Sequence, residues 1–511
     1  MKRLEKLKNA KRNIIWGFAN RIVSIILPFI NRTIMIYLLG DQYVGLNSLF
    51  TSILSVLNLA ELGIGSALVY SMYEPIAKND TEKICALMRF YRKCYRSIGI
   101  IVLGIGLCII PVLPKLINGG YPSDINIYIL YLMYLGQTFI TYNMFAYKNC
   151  LLDAHQRKDI ASVVTMVVNL FTMVSQMLVL LLFKNYYIYM AIGLVSSIVI
   201  NLVVAIFANR MYPDYVCKGD LDEETRSDIK KRTKGLVTSK IGSVVINSAD
   251  NIVISAFLGL AVVGWYNNYF YFITAVISFL DIILTSLTAG IGNSIVLNSV
   301  KENQTTFDKL TFTYQWIVSW CTVCFVCLFQ PTMQIWNPNG MFPFYIVCLL
   351  SLRFYAGRIV QMTFTYTDAL GLWWEDRWRP IVAAIVNLLL NIVLVNLIGI
   401  SGVIISTVVC SVFINTPWGT IVLYKQYLKK GLQEHFKKLI FNYFITFVSC
   451  IITYFVCAQI PLSGFLLLTL RAVLCICIPN VIFMLSYHSR WEYKEMINMI
   501  IRMLLRKGKE S

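Results

Sequence analysis

Five arginines stand inside apolar stretches of this chain: Arg21, Arg32, Arg353, Arg358 and Arg471. A guanidinium stays charged at any physiological pH, and its planar fork can grip two phosphate oxygens at once. Arg21, Arg32, Arg353 and Arg358 are therefore the candidates for binding an anionic, phosphate-bearing substrate. Three acids share these apolar surroundings, Glu61, Asp250 and Asp281, with Lys240 nearer one end of its segment. These four are candidates for ion pairing or for coupling to H+ or Na+, because an ionisable group at membrane depth is costly unless it has a partner or a task. Four such arginines against three deep acids favour an anionic substrate over a cationic one.

The spacing sharpens this. Arg21 and Arg32 are 11 residues apart, which on a helix brings them back to within about 20° of each other at a rise of roughly 16 Å. Asn20 and Asn31 repeat at the same interval, and Pro28 lies close to the same face. The first helix thus carries one polar stripe with a residue that can kink it, and such a stripe must face a cavity or a partner rather than lipid. Glu61 sits 18 residues inward from Tyr43, and Arg21 sits 18 residues inward from Leu39. The two are at matching depth, so an Arg21–Glu61 pair is feasible, and Arg32 is the freer charge. Arg353 and Arg358 point about 140° apart on a helix and do not share a narrow face.

Spanning helices must position these groups. The chain has 511 residues, 58% hydrophobic and 14% charged, with a mean hydropathy of +0.66; soluble domains carry about 25% charge. Apolar stretches of about 20 residues or more, enough to cross a bilayer, recur throughout, and 14 spans are expected, from 13–39 to 464–487. The net charge of +19 follows the positive-inside rule. With both termini cytoplasmic, 38 of the 45 Lys and Arg fall on the cytoplasmic side, Lys115 and Lys184 lie outside, and the five arginines above remain in spans. Nucleic acid is not needed to explain the charge. The basic N-terminus continues into an apolar run too long for a signal peptide and without a cleavage site, so it reads as the first helix.

An internal repeat organises the spans. LGDQYVG (39–45) and LGLAVVG (258–264) are offset by 219; GIG follows an acid in each half, at 63–65 and 290–292; Asp153-Ala154 and Asp368-Ala369 close the fourth span of each half. The expected fold is all-α and polytopic. Two parallel six-helix bundles, 1–209 and 236–430, surround a central cavity, with a basic cytoplasmic linker at 210–235, two added helices within 431–487, and a basic tail at 488–511. Rocking of one bundle against the other, giving alternating access, is the natural motion of that shape.

Other chemistries lack their residues. There is no Walker A motif and no nucleophile elbow, and only three His, so an enzyme is not expected. The cysteines, Cys321, Cys324, Cys327, Cys475 and Cys477 among them, lie mainly inside spans and read as small packing residues rather than metal ligands or disulfides. The longest outer connection, 330–343, is short for a membrane polymerase or ligase.

The opening run NIIWGFANRIVSIILPFINRTIMIYLLGDQYVGLNSLFTSILSVLNLAELGIGSALVYSMY and the segment TDALGLWWEDRWRPI (367–381) resemble Wzx-type polysaccharide and O-antigen flippases. These belong to the multidrug/oligosaccharidyl-lipid/polysaccharide exporter superfamily and are related to the lipid II flippase. The resemblance implies a bacterial cytoplasmic-membrane flippase that moves undecaprenyl-pyrophosphate-linked oligosaccharide to the outer leaflet. It would work beside membrane lipids and the polymerase and glycosyltransferases of its pathway, as a monomer, with no cofactor beyond a coupling ion. Arg21, Arg32 and Glu61 match the lipid II flippase in residue type and helix; the resemblance assigns no role to Arg353 and Arg358. The usual Wzx count is 12 spans, so the last two helices are a departure. The alternatives are a multidrug or cation exporter of the same superfamily, which needs an acidic cavity, and a non-transporting membrane component of glycan assembly.

Overall fold

The computed structural model describes residues 24–61 and 64–507. Among the described residues every regular element is a helix. Arg21 and the side chains of Glu61 and Lys240 lie outside the described residues, and so does the Arg21–Glu61 pairing.

Among the described residues ten helical stretches, some of them composed of two successive helices, are long and apolar enough to cross a membrane. Of the other expected spans, 13–39, 44–72 and 127–152 fall on shorter or interrupted helices, and 236–258 is the apolar end of a longer helix that begins at Glu223. The first is described only from Ser24 to Leu38 (α1). The second is α2 (Asp41–Leu57) and α3 (Ile64–Lys78), separated by a 3-10 turn over Asn58–Glu61. After α4 (Thr81–Ile109), the stretch 127–152 divides into α5 (Ile127–Asn143) and α6 (Tyr147–Ala154), where Phe145 takes a left-handed φ of 59° that no helix can continue through. Helices α7 (Lys158–Phe183) and α8 (Tyr186–Met211) follow.

The segment expected as a linker, 210–235, is helical from residue 223 onward. Asp222 caps α9 (Glu223–Leu258) by accepting the Thr225 N–H, so the basic run and the apolar run form one helix. The chain divides into two compact units, Met1–Asn267 and Asn268–Ser511, within α10 (Leu260–Leu297). Helix α9 therefore belongs to the first unit, where it packs on α2 and α3.

In the second unit α11 (Val300–Trp336) is the central post. On it pack α12 (Phe344–Arg358), α13 (Gln361–Ala369), α17 (Leu432–Ala458), α18 (Gly464–Tyr487) and α19 (Trp491–Lys507), while α15 (Ile400–Cys410) packs on α12 and on α14 (Trp378–Ile398), and α16 (Thr416–Leu423) packs on α13. Single wide π-turns at Ser411–Asn415 and Tyr424–Leu428 flank α16; Pro417, which offers no N–H, follows the first of them. Helices α17 and α18 are more than an appendage. Asn442 of α17 bonds to Gln315 of α11 and accepts the Tyr487 hydroxyl at 2.7 Å. Thr446 donates to Ser319 and to Tyr355 at 2.9 and 3.0 Å. Phe312, Ile445, Phe483 and Tyr487 share one buried cluster. A buried polar network of this kind fixes register, since slipping either helix would strand its partners.

The segment after α13 is a folded knot. Arg379 grips Asp376 at 2.6 Å, lies over the Phe364 ring at 4.1 Å and donates to Asn415 at 2.9 Å. Trp373 donates to Asp368 at 3.0 Å, while Trp374 and Trp378 are exposed, as expected of tryptophans at a membrane–water boundary.

Candidate functional site: a polar cavity in the first unit

The polar stripe of α1 is described at its second step, Asn31-Arg32. Asn31 is 2% exposed. Its amide nitrogen donates to Gln176 Oε1 of α7 at 3.0 Å and to the Tyr189 hydroxyl of α8 at 3.2 Å. Gln176 in turn donates to the Tyr189 carbonyl at 3.1 Å. These bonds fix the rotation of α1 and carry the Arg32 guanidinium into electrostatic reach of the Tyr189 hydroxyl, with one of its terminal nitrogens buried.

Tyr189 and Gln176 are also the wall of a cavity of about 440 Å³, enclosed by α2, α5, α7 and α8. Its lining is amide and hydroxyl: Asn47, Gln137, Asn169, Gln176, Tyr134 and Ser197 stand out, with no carboxylate, ammonium or guanidinium among the described lining residues. The groups are pre-positioned by one another. The Tyr134 hydroxyl donates to Asn47 at 3.0 Å, and Gln137 donates to Ser197 at 2.8 Å and to the Gly193 carbonyl at 3.2 Å. Uncharged amides and hydroxyls held this way can exchange hydrogen bonds with a polyol, each acting as donor or acceptor. Arg32 is not among the described lining residues but lies within electrostatic reach of Tyr189, which is one of them.

Sequence reasoning missed these lining residues. Single Asn and Gln residues in apolar helices read as background polarity; the available signal was that three of the lining helices carry one or more, Asn47 on α2, Gln137 on α5, and Asn169 and Gln176 on α7.

The second unit handles its charges differently. Arg358, the last residue of α12, donates to Asp281 of α10 at 2.8 Å. It is an ion-paired residue and not an isolated cation, and the pair joins two residues that the sequence assigned separate roles. Arg353, 7% exposed, lies over the Phe270 ring at 4.8 Å. Both arginines therefore meet α10, Arg353 at Phe270 and Arg358 at Asp281. Asp250 of α9 belongs to the first unit; it is fully buried and accepts from the Tyr266 hydroxyl at 3.3 Å. Its neighbour Asn251 donates to Ser52 of α2 at 2.9 Å. Thus the structure pairs Asp281 with Arg358 and buries Asp250 against Tyr266. Arg471 lies within electrostatic reach of Cys457.

The residues expected to be mere packing cysteines include a cluster: the sulfurs of Cys327, Cys457 and Cys475 lie within 4.8 Å of one another.

Residues 10–330 match the family model described as polysaccharide biosynthesis protein. No curated protein matches. Among solved structures, a multidrug resistance MATE family transporter of the MOP superfamily, inward-facing, superposes with a TM-score of 0.63 at 15% identity, covering 80% of this chain and 95% of its own. The lipid II flippase MurJ in an inward closed conformation gives 0.58 at 13% identity, covering 93% and 98%. The Vibrio cholerae MATE transporter VcmN gives 0.55 at 13%, covering 83% and 98%. At these identities the likeness is one of fold.

Proposed function

Because this chain belongs to the polysaccharide biosynthesis protein family, we propose that it is a flippase for an undecaprenyl-pyrophosphate-linked oligosaccharide repeat unit. It moves the unit from the cytoplasmic to the outer leaflet of a bacterial cytoplasmic membrane, both termini being cytoplasmic, by alternating access, for a surface polysaccharide such as O-antigen or capsule. The observation that carries the reading is the amide- and hydroxyl-rich cavity of the first unit, with no charged side chain among its described lining residues and with Arg32 within electrostatic reach of Tyr189. A sugar needs many exchangeable donors and acceptors, and a pyrophosphate needs a permanent cation. The cavity of a cation exporter would need carboxylates instead.

In this account Arg21 and Arg32 are successive steps for the pyrophosphate. Arg353 and Arg358 are the phosphate-binding candidates of the second unit, with Arg358 held by Asp281. Asp250, buried against Tyr266, is the favoured coupling group for H+ or Na+, with Glu61, Asp281 and Lys240 in supporting pairs.

The test is leaflet exchange of a fluorescent undecaprenyl-pyrophosphate oligosaccharide in proteoliposomes, wild type against Gln137→Leu. Removing an amide from a site built to hydrogen-bond substrate should lower exchange at least tenfold. Exchange at the wild-type rate would remove the cavity from the account.

A further inference from the structure

The three clustered cysteines come from three helices and 148 residues of sequence, Cys327 on α11, Cys457 on α17 and Cys475 on α18. Their residues are at most 1% exposed, and their sulfurs lie within 4.8 Å of one another. With metal–sulfur bonds of about 2.3 Å, a trigonal three-sulfur site needs sulfur–sulfur edges of about 4.0 Å, so small rotamer shifts would close it. The surroundings are soft and dry, with Cys324, Cys450, Leu328, Tyr454 and Leu474 packed on the cluster.

Two further features suit a charged occupant better than simple packing. Arg471, one turn from Cys475 on α18, lies within electrostatic reach of Cys457, and its buried Nε has no hydrogen-bond partner among the described residues. Thr453, one turn inward of Cys457 on the same face of α17, is fully buried, and its hydroxyl likewise has no partner among the described residues. Neither is expected beside three neutral thiols acting only as small apolar groups.

We propose that Cys327, Cys457 and Cys475 form a binding site for a thiophilic d10 metal ion, Cu(I) before Zn(II). The set offers three donors with no fourth His, Cys, Asp or Glu in the group among the described residues. Zinc sites take four ligands, whereas soft thiolates select Cu(I). The charges balance: Cu(I) displaces two thiol protons to give a bis-thiolate anion, the third sulfur coordinates as thiol, and the Arg471 guanidinium neutralises the whole. No oxidant or reductant is consumed. Bound there, the ion would tie α17 and α18 to α11.

The test uses the full-length protein, reduced, in nanodiscs without oxygen, titrated with Cu(I) held by bicinchoninate. The expected result is one Cu(I) withdrawn per chain, about two protons released, and a near-ultraviolet sulfur-to-copper band. Cys327→Ser, Cys457→Ser and Cys475→Ser should each weaken uptake at least tenfold, while Cys85→Ser with Cys150→Ser leaves it unchanged. Alanine versions and melting curves check that a loss of uptake is not a loss of fold. Uptake no greater than that of the triple serine variant would overturn the proposal. So would a disulfide between any two of the three, found by non-reducing peptide mapping.

Discussion

Gly45 and Gly264 occupy equivalent places in the two halves of the repeat, and each meets the backbone of the other's motif. A side chain on Gly45 would strike the Leu260 carbonyl, and one on Gly264 would strike the Asp41 carbonyl. Asp41 and Leu260 are themselves related by the offset of 219 that relates the glycines. The preceding glycines match as well: Gly40 has φ 104° and ψ 171°, and Gly259 has φ 88° and ψ 171°. The two LGxxxVG motifs therefore form a reciprocal crossing, with the Trp265 indole donating to Asp41 at 2.9 Å as a further tie. The crossing is why neither motif can replace its last glycine.

Gly45→Ala and Gly264→Ala should each destabilise the protein by about 1–3 kcal/mol, the usual cost of forcing a methyl group into packed backbone. Gly290→Ala, a helical position with open space around its Cα, should instead be neutral or stabilising by up to about 1 kcal/mol. Thermal unfolding in detergent, followed by circular dichroism, distinguishes the two signs.

The Asn442 network predicts a larger penalty for half-removal than for full removal. Asn442→Leu strands the Gln315 amide and the Tyr487 hydroxyl and should cost about 1–3 kcal/mol. Adding Gln315→Leu and Tyr487→Phe should recover part of that loss. Melting temperatures of the single and triple variants read this directly.

Arg358 and Asp281 should show coupling in a double-mutant cycle, but a small one. The carboxylate side chain is 47% exposed and the guanidinium 18%, so solvent screens the pair and about 1 kcal/mol or less is expected. Melting of Arg358→Gln, Asp281→Asn and the double variant measures it.

The fold was legible where periodicity and composition act over long stretches. The repeat motifs at 39–45 and 258–264, and most long spans, stand where the sequence placed them. Interruptions were not legible, because they depend on local geometry: Phe145 leaves the helix by a left-handed φ that its side chain gives no sign of. Long-range association was the least visible. Asn31 finds Gln176 and Tyr189 some 145 and 158 positions away, and three cysteines from distant helices meet at a point that no spacing rule foretells. Arg32 was marked by its charge and by its spacing from Arg21; the cavity lined by Tyr189, within its electrostatic reach, had to be seen in three dimensions.

His155 offers a pH signature. It follows α6, stacks on Tyr212 at 4.2 Å, and burial lowers its pKa below the usual 6.5. The unfolded chain then binds this proton more readily than the folded one, so stability is lost as pH falls below about 6.5 and is flat with respect to this group above it. His155→Phe should flatten that part of the curve. Unfolding midpoints between pH 5 and pH 8 for both proteins, compared at equal ionic strength, test the sign.

The central claim is that Arg32 and the cavity of the first unit recognise the pyrophosphate–sugar head. The most direct measurement is leaflet exchange in proteoliposomes for wild type, Arg32→Lys and Arg32→Ala at matched protein density. The account predicts exchange that depends on the wild-type protein, is retained in part by lysine as a charge without the fork, and is lost with alanine. Wild-type exchange in Arg32→Ala would contradict it.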